Sequence, residues 1–356
     1  MLFNYRYVNN SIERFQVYLD HLVKEVWCKA TGVFSLDLLH PELEEIVEAL
    51  SNDESIVKDH LDGPIRRIYE LFKTELTAAQ RQQVSKWYDH NNDIEALCAC
   101  RPDTQPATYA DIRAINANLA SALKEFCKSL FSEVIGLKAV ASRIGDIDAH
   151  YEAFVKENCE EKCPYCGYGD IKGLHHTRRE AYDHFLPKGT YPFNSVNFRN
   201  LAPMCNECNS AYKLAKDPTR NIDPISRRAG GTRRKAFYSY ATVAAGITVT
   251  VTLNTQDVTN LQPSHIALHI AAPGRDEEVE AWKDVFGIEE RYKAKLCAKN
   301  DGKAWLVQVI DEAANVSLTP AEMLAAKRKT AAAQPYVDAN FLKMAFLTGC
   351  QTANIF

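Results

Sequence analysis

Two Cys-x-x-Cys knuckles, Cys163-Pro-Tyr-Cys166 and Cys205-Asn-Glu-Cys208, bracket a block rich in His, Asn, Tyr and Pro. Together they supply four thiolates, enough to close a tetrahedral zinc shell. A closed shell leaves no open position for water, so zinc bound there is structural. The rival reading is a pair of redox Cys-x-x-Cys motifs. Redox motifs rarely come as two knuckles around a short polar insert. Pro164 and Gly167 suit a tight turn in the first knuckle. The other cysteines (Cys28, Cys98, Cys100, Cys127, Cys159, Cys297 and Cys350) are scattered, mostly within apolar helical patterns. They read as small core residues of a protein in a reducing compartment. Cys159 reads as a packing or capping residue rather than a spare ligand.

The length of 356 residues points to two or three domains. A hydrophobic content of 46% and a charged content of 25% are ordinary for a soluble globular protein. No stretch reaches about 18 uninterrupted apolar residues, so no membrane span is expected. The start, MLFNYRYVNN, lacks the pattern of a secretory signal. The expected location is cytoplasmic. A net charge of −4 argues against a surface coated for nucleic acid. Charge distribution says more. Lys213, Lys216, Arg220, Arg227, Arg228, Arg233, Arg234 and Lys235 face only Asp217 and Asp223 in one stretch. Such a run can be a solvated loop. Beginning at the second knuckle, it is read here as a phosphate-binding run, with Arg227, Arg228, Arg233 and Arg234 as substrate contacts.

Residues 1–158 follow a helical period, in SIERFQVYLDHLVKEVW, HPELEEIVEALSN, GPIRRIYELFKTEL, TAAQRQQVSKWYDH and TYADIRAINANLASALKEFCKSLFSEVI. Ser11 is the expected N-cap of the first. RPDTQPAT reads as a loop. The histidines of this half stand alone and suggest no site. Residues 159–235 hold the knuckles and the basic run. In residues 236–356, GITVTVTL and HIALHIA alternate as a strand pair with one face on a core. Helices follow, and Thr319, Pro320 and Glu322 open one of them with a capping box. The expected fold class is therefore α+β and mainly helical.

The insert contains Asp183-His184 followed by Pro187. On an extended strand the two side chains point to opposite faces, one toward a cation and one toward substrate. If the second knuckle starts a helix, Asn209 and Lys213 share a face. A strand, a loop, a second strand and a helix zipped by zinc would gather a carboxylate, an imidazole and two or three amides near one point.

These residues resemble the HNH nuclease motif, the ββα-metal fold, in its zinc-knuckle form. The family pattern of Asp-His with a later Pro, then Asn-Leu, then Cys-x-x-Cys-His/Asn with a later Lys is matched by Asp183-His184, Pro187, Asn200-Leu201, Cys205 to Cys208, Asn209 and Lys213. The resemblance covers residues 160–216. The wider wording is similar to HNH proteins of bacterial and phage-defence loci, which often carry a C-terminal segment like Trp282, Val285-Phe286 and Arg291.

The resemblance implies a phosphodiester hydrolase acting on DNA. In that reading His184 is the general base and Asn200 holds it in register. Asp183 and Asn209 hold one Mg2+ or Mn2+, while Cys163, Cys166, Cys205 and Cys208 hold structural Zn2+. Many family members have His where Asn209 stands, and an amide oxygen favours the harder ions. Lys213 either contacts phosphate or packs. His175 and His176 have no fixed role in the pattern. The helical flanks could dock a partner such as an ATPase or a second copy of the chain. The alternatives are a zinc-stabilised binding or docking module without catalysis, and an RNA-cleaving toxin.

Overall fold

A computed structural model describes residues 1–52, 59–222 and 229–356. Arg227 and Arg228, two of the expected substrate contacts, lie outside the described residues. The fold is α+β and mainly helical, with three separate two-stranded antiparallel sheets among the described residues.

The N-terminal part is built from α1 (Arg14–His21), α2 (Pro41–Ser51), α3 (Asp62–Glu75), α4 (Ala78–Asn92), α5 (Ile94–Cys98), α6 (Tyr109–Ile115), α7 (Ala117–Ser132), α8 (Lys138–Ile144) and α9 (Ile147–Glu157). A wider helical turn over Leu22–Trp27 continues α1. It buries Trp27, whose ring stacks on Phe72 of α3 and meets Phe126 of α7 edge-on. The indole N–H donates to the Ile65 carbonyl at 3.2 Å, so a large apolar side chain is buried with its polar atom satisfied.

Two local expectations need correction. Asn10, rather than Ser11, caps the first helical turn, with Glu13 closing the box back onto its backbone. The long pattern from Tyr109 breaks at Asn116, which adopts an extended conformation and caps α7 through Leu119. Its short amide competes with the backbone for hydrogen bonds, which favours a cap over a helix interior.

The block at the centre of the chain forms β1 (Tyr182–His184) and β2 (Leu201–Pro203), paired with Asp183 opposite Ala202. A helical segment, Glu207–Lys213, follows the second knuckle. Part of the expected basic loop is a second strand pair, β3 (Arg220–Ile222) with β4 (Ala229–Arg233). The alternating segments form β5 (Thr248–Leu253) and β6 (Ile266–Ala271), in register along their whole length. Val251 and Leu253 are buried while Thr248, Thr250 and Thr252 are exposed.

The chain closes with α10 (Asp276–Phe286), α11 (Ile288–Cys297), α12 (Gly302–Asn315), α13 (Pro320–Ala333) and α14 (Asn340–Thr352). A left-handed Gly287 (φ 58°) separates α10 from α11. A side chain there would also strike the ring of Tyr212. The capping box of Thr319 and Glu322 is present as expected. The extreme N-terminus is tied to the central block. Leu2 N–H donates to the Pro164 carbonyl and Tyr5 N–H to that of Ser239, both at 2.9 Å.

Candidate metal and polar site

The first knuckle turns on itself. Gly167 N–H and Cys163 N–H bond to Cys163 and Gly169 carbonyls at 2.7 Å each, and Gly167 has φ 80°. The second knuckle ends β2 and runs into the Glu207–Lys213 helix. All four sulfurs are buried and lie within 4.8 Å of one another. The Cys166–Cys205 separation of 3.9 Å is close to the ~3.8 Å that tetrahedral geometry gives for Zn–S bonds of about 2.3 Å. Cys159 is exposed and stands outside the cluster. A Cβ on Gly169 would lie 2.8 Å from Cys205 Sγ, so the backbone approaches the sulfurs as closely as only glycine allows. The donor set fits zinc: soft, buried and four in number.

The C-terminal segment that the sequence singled out lies against this cluster. Arg291 is buried, and its Nη1 donates to Cys208 Sγ at 3.3 Å. Its Nη2 pairs with Glu207 at 2.7 Å and its Nε donates to Tyr168 Oη at 3.1 Å. Trp282 Nε1 donates to the Tyr165 carbonyl at 2.8 Å, and Tyr292 Oη to that of Cys166 at 3.0 Å. Trp282 and Tyr292 thus bind the knuckle backbone, while Arg291 sets its guanidinium against the sulfur of Cys208. Such outer contacts orient and tune metal ligands.

Beyond the knuckles the polar residues converge through Lys213. This lysine is fully buried. Its Nζ donates to the His184 carbonyl at 2.9 Å and lies 2.8 Å from Asp183 Oδ2. The approach to Asp183 is an ion pair without hydrogen-bond angles, so Oδ2 remains a buried oxygen with no hydrogen bond. Burial raises the Asp183 pKa and the lysine charge opposes that rise. Of the two roles weighed for Lys213, the structure supplies packing: it ties the helix to β1. Asn209, one turn earlier on that helix, is half-buried and its amide has no partner among the described residues.

Asn200 clasps the loop after β1. Its Oδ1 accepts from Leu186 N–H at 2.8 Å and its Nδ2 donates to the Leu186 carbonyl at 3.0 Å. His184 Nε2 lies 2.8 Å from the Ser195 carbonyl. A carbonyl can only accept, so Nε2 carries the proton and the lone pair is on Nδ1. Burial, aided by the charge of Lys188, lowers the His184 pKa to about 3. The ring is therefore neutral near pH 7.

The structure also shows what supports this arrangement, which sequence patterning missed. Asn91, at the end of α4, is completely buried and bonds to Ala107 and to the Pro192 carbonyl. Asn92 accepts from Asn197 through both its carbonyl and its side chain. Phe131, in the last turn of α7, meets the His184 ring edge-on with centroids 4.6 Å apart. The consecutive asparagines before a loop were the only local sign of any of these contacts.

Two residues of the expected phosphate-binding run are committed elsewhere. Arg234 is buried, with Nε on the Pro218 carbonyl and Nη1 on Asp284 at 2.9 Å. Arg233 donates from Nη1 to the carbonyls of Arg101 and Thr104. For Arg234 the expectation of substrate contact is corrected, since burial keeps a ligand from the guanidinium. Arg233 cross-links β4 to the loop after α5. His175 and His176 are exposed and line a groove with Tyr151, Arg178 and Arg179 that includes none of Asp183, His184, Asn209 and Lys213.

No protein-family model matches the chain, and no solved structure matches it. Two curated proteins match in part. The Septu protein PtuB of Bacillus thuringiensis is 42% identical over 68 residues, 18% of this chain and 25% of that protein. Protein ea31 of Escherichia phage lambda is 44% identical over 54 residues, 15% of this chain and 16% of ea31. The chain thus spans a quarter or less of the length of each. No described helix is long and apolar enough to cross a membrane.

Proposed function

We propose that the chain is a metal-dependent HNH endonuclease that hydrolyses phosphodiester bonds in DNA. The observation that carries this reading is the junction made by Lys213. One buried ammonium joins the helix bearing Asn209 to the strand bearing Asp183 and His184. The base of that helix is a four-cysteine cluster fit for zinc.

In this reading Asp183 and Asn209 hold a divalent cation, Mg2+ or Mn2+. A carboxylate and an amide offer the hard oxygens that such an ion prefers, the first ion-paired with Lys213 and the second without a partner among the described residues. When bound, the ion neutralises charge on the scissile phosphate and the leaving oxygen. His184 accepts a proton from the attacking water at Nδ1, while Ser195 fixes the tautomer through Nε2. Asn200 fixes the turn that carries the ring. The partial likeness to a Septu protein fits a role in defence against phage.

Incubating purified protein with supercoiled plasmid and with single-stranded RNA, each with Mg2+, Mn2+ or EDTA, tests the proposal. Nicking of the plasmid that requires added metal supports it. Cleavage of RNA alone would move the protein to the ribonucleases. No cleavage of either would leave a zinc-held docking module.

A further inference from the structure

Of the arginines expected as phosphate contacts, the two that lie among the described residues are committed within the chain. Arg234 is buried and Arg233 is tied to carbonyls of the loop after α5. Two other lysines stand nearer to His184. Lys188 follows it on the loop that Asn200 clasps, and its Nζ lies 4.9 Å from the centroid of the Phe131 ring. That same ring touches His184 from its other contact, at 4.6 Å. Lys128 is exposed on α7, three residues before Phe131 and therefore on the same face. Lys124, also exposed, extends that face by one more turn.

The charges around these lysines leave them uncompensated. Neither Lys128 nor Lys188 has an acidic partner among the described residues. Asp183 is taken by Lys213, Glu125 faces Arg67 at 3.7 Å, and Glu133 lies 2.9 Å from His60. Burial and the charge of Lys128 both lower the Lys188 pKa, so the two ammonium groups feel each other. Two like charges kept close, without a counter-charge, beside a reactive imidazole favour an anion from outside.

We propose that Lys188, held over the Phe131 ring, and Lys128, exposed on the same face of α7 as Phe131, form a clamp for the phosphodiester backbone next to His184. Phe131 seats Lys188 through its ring face and borders the imidazole, so it places the clamp relative to the attacked bond. The N-terminal helices are thereby part of the substrate site, and α7 gives the backbone its track. This inference rests on the nuclease reading for its substrate class.

The test uses the full chain in a His184→Ala background, which removes turnover. Binding of a short DNA duplex is measured at several salt concentrations, with and without Lys128→Gln and Lys188→Gln together. Lys299→Gln, an exposed lysine after α11, is the charge-matched control. Zinc content and thermal unfolding establish that each variant is folded. Loss of two phosphate contacts should reduce the slope of log affinity against log salt by roughly 1.8, at about 0.9 per contact on duplex DNA. The control should leave it unchanged. With His184 restored, the double substitution should raise KM far more than it lowers kcat. An unchanged slope in a folded variant overturns the clamp, even if the wild-type chain cleaves DNA. A changed slope in a chain that cleaves nothing would keep the clamp and remove the nuclease reading.

Discussion

At the cysteine end of the central block, α10 and α11 reach the knuckles with a guanidinium, an indole and a phenol, each aimed at a sulfur or a carbonyl. At the other end, α4 and α7 reach the polar residues with two asparagines and a phenylalanine, whose ring also carries Lys188 of the loop after β1. The first set is satisfied within the chain. Arg291, for instance, has partners at all three nitrogens. Around the second set some groups have no polar partner among the described residues: the Nδ1 of His184, the amide of Asn209, and the charges of Lys128 and Lys188. Closed contacts hold a platform, whereas open ones await a ligand. The C-terminal helices thus brace the block, and in the nuclease proposal the N-terminal ones serve its chemistry.

The largest expected effect breaks the zinc end. Cys163→Ser or Cys205→Ser should lose the metal and unfold the block, because the free energy of binding at such a site is folding free energy. Metal analysis should find one tightly held zinc per wild-type chain and far less in the variants. A folded, zinc-free wild-type protein would remove the metal from the account.

A smaller effect concerns the other end and depends on pH. His150 is buried against Tyr182 and Phe198, and burial lowers its pKa to about 4. In the unfolded chain it titrates near 6.5. Its neutral form therefore adds stability that is complete above about 6.5 and is lost as pH falls toward about 4, amounting to about 3 kcal/mol at most. Thermal unfolding between those pH values should show the decline, and His150→Gln should flatten that part of it. A His150→Gln profile parallel to wild type would mean that other groups carry the acid sensitivity.

The smallest effect sharpens the comparison. Arg291→Met keeps the bulk of the side chain near Cys208 but deletes its charge. Zinc affinity, measured by competition with a chelator, should fall about 10- to 100-fold, the usual scale for an outer-shell partner of a metal site. Arg291→Lys should restore part of it. DNA binding by zinc-loaded Arg291→Met should keep its salt slope, because the changed charge faces the sulfurs. A lost slope with intact zinc would show that the two ends are not separable.

What could be read from sequence was what lies within a few residues. The knuckles, the box of Thr319 and Glu322, and the alternation of Val249, Val251 and Leu253 each declare themselves locally. The helix breaks at Asn116 and Gly287 sit within runs of good helix formers and hid inside them. Arg234 looked available because its partner Asp284 is far along the chain. Lys213 looked equally fit for phosphate or packing, and only its complete burial against β1 decides between them. The contact of Phe131 with His184 crosses from one helix to a distant strand, and no periodicity encodes it.

The most direct test of the central claim is plasmid nicking by wild-type and His184→Ala protein carrying equal zinc, in the presence of Mg2+. The account predicts a rate lower by about 100- to 10,000-fold in the variant, the usual cost of losing a general base, with zinc content and unfolding temperature unchanged. Nicking by His184→Ala at the wild-type rate would contradict it.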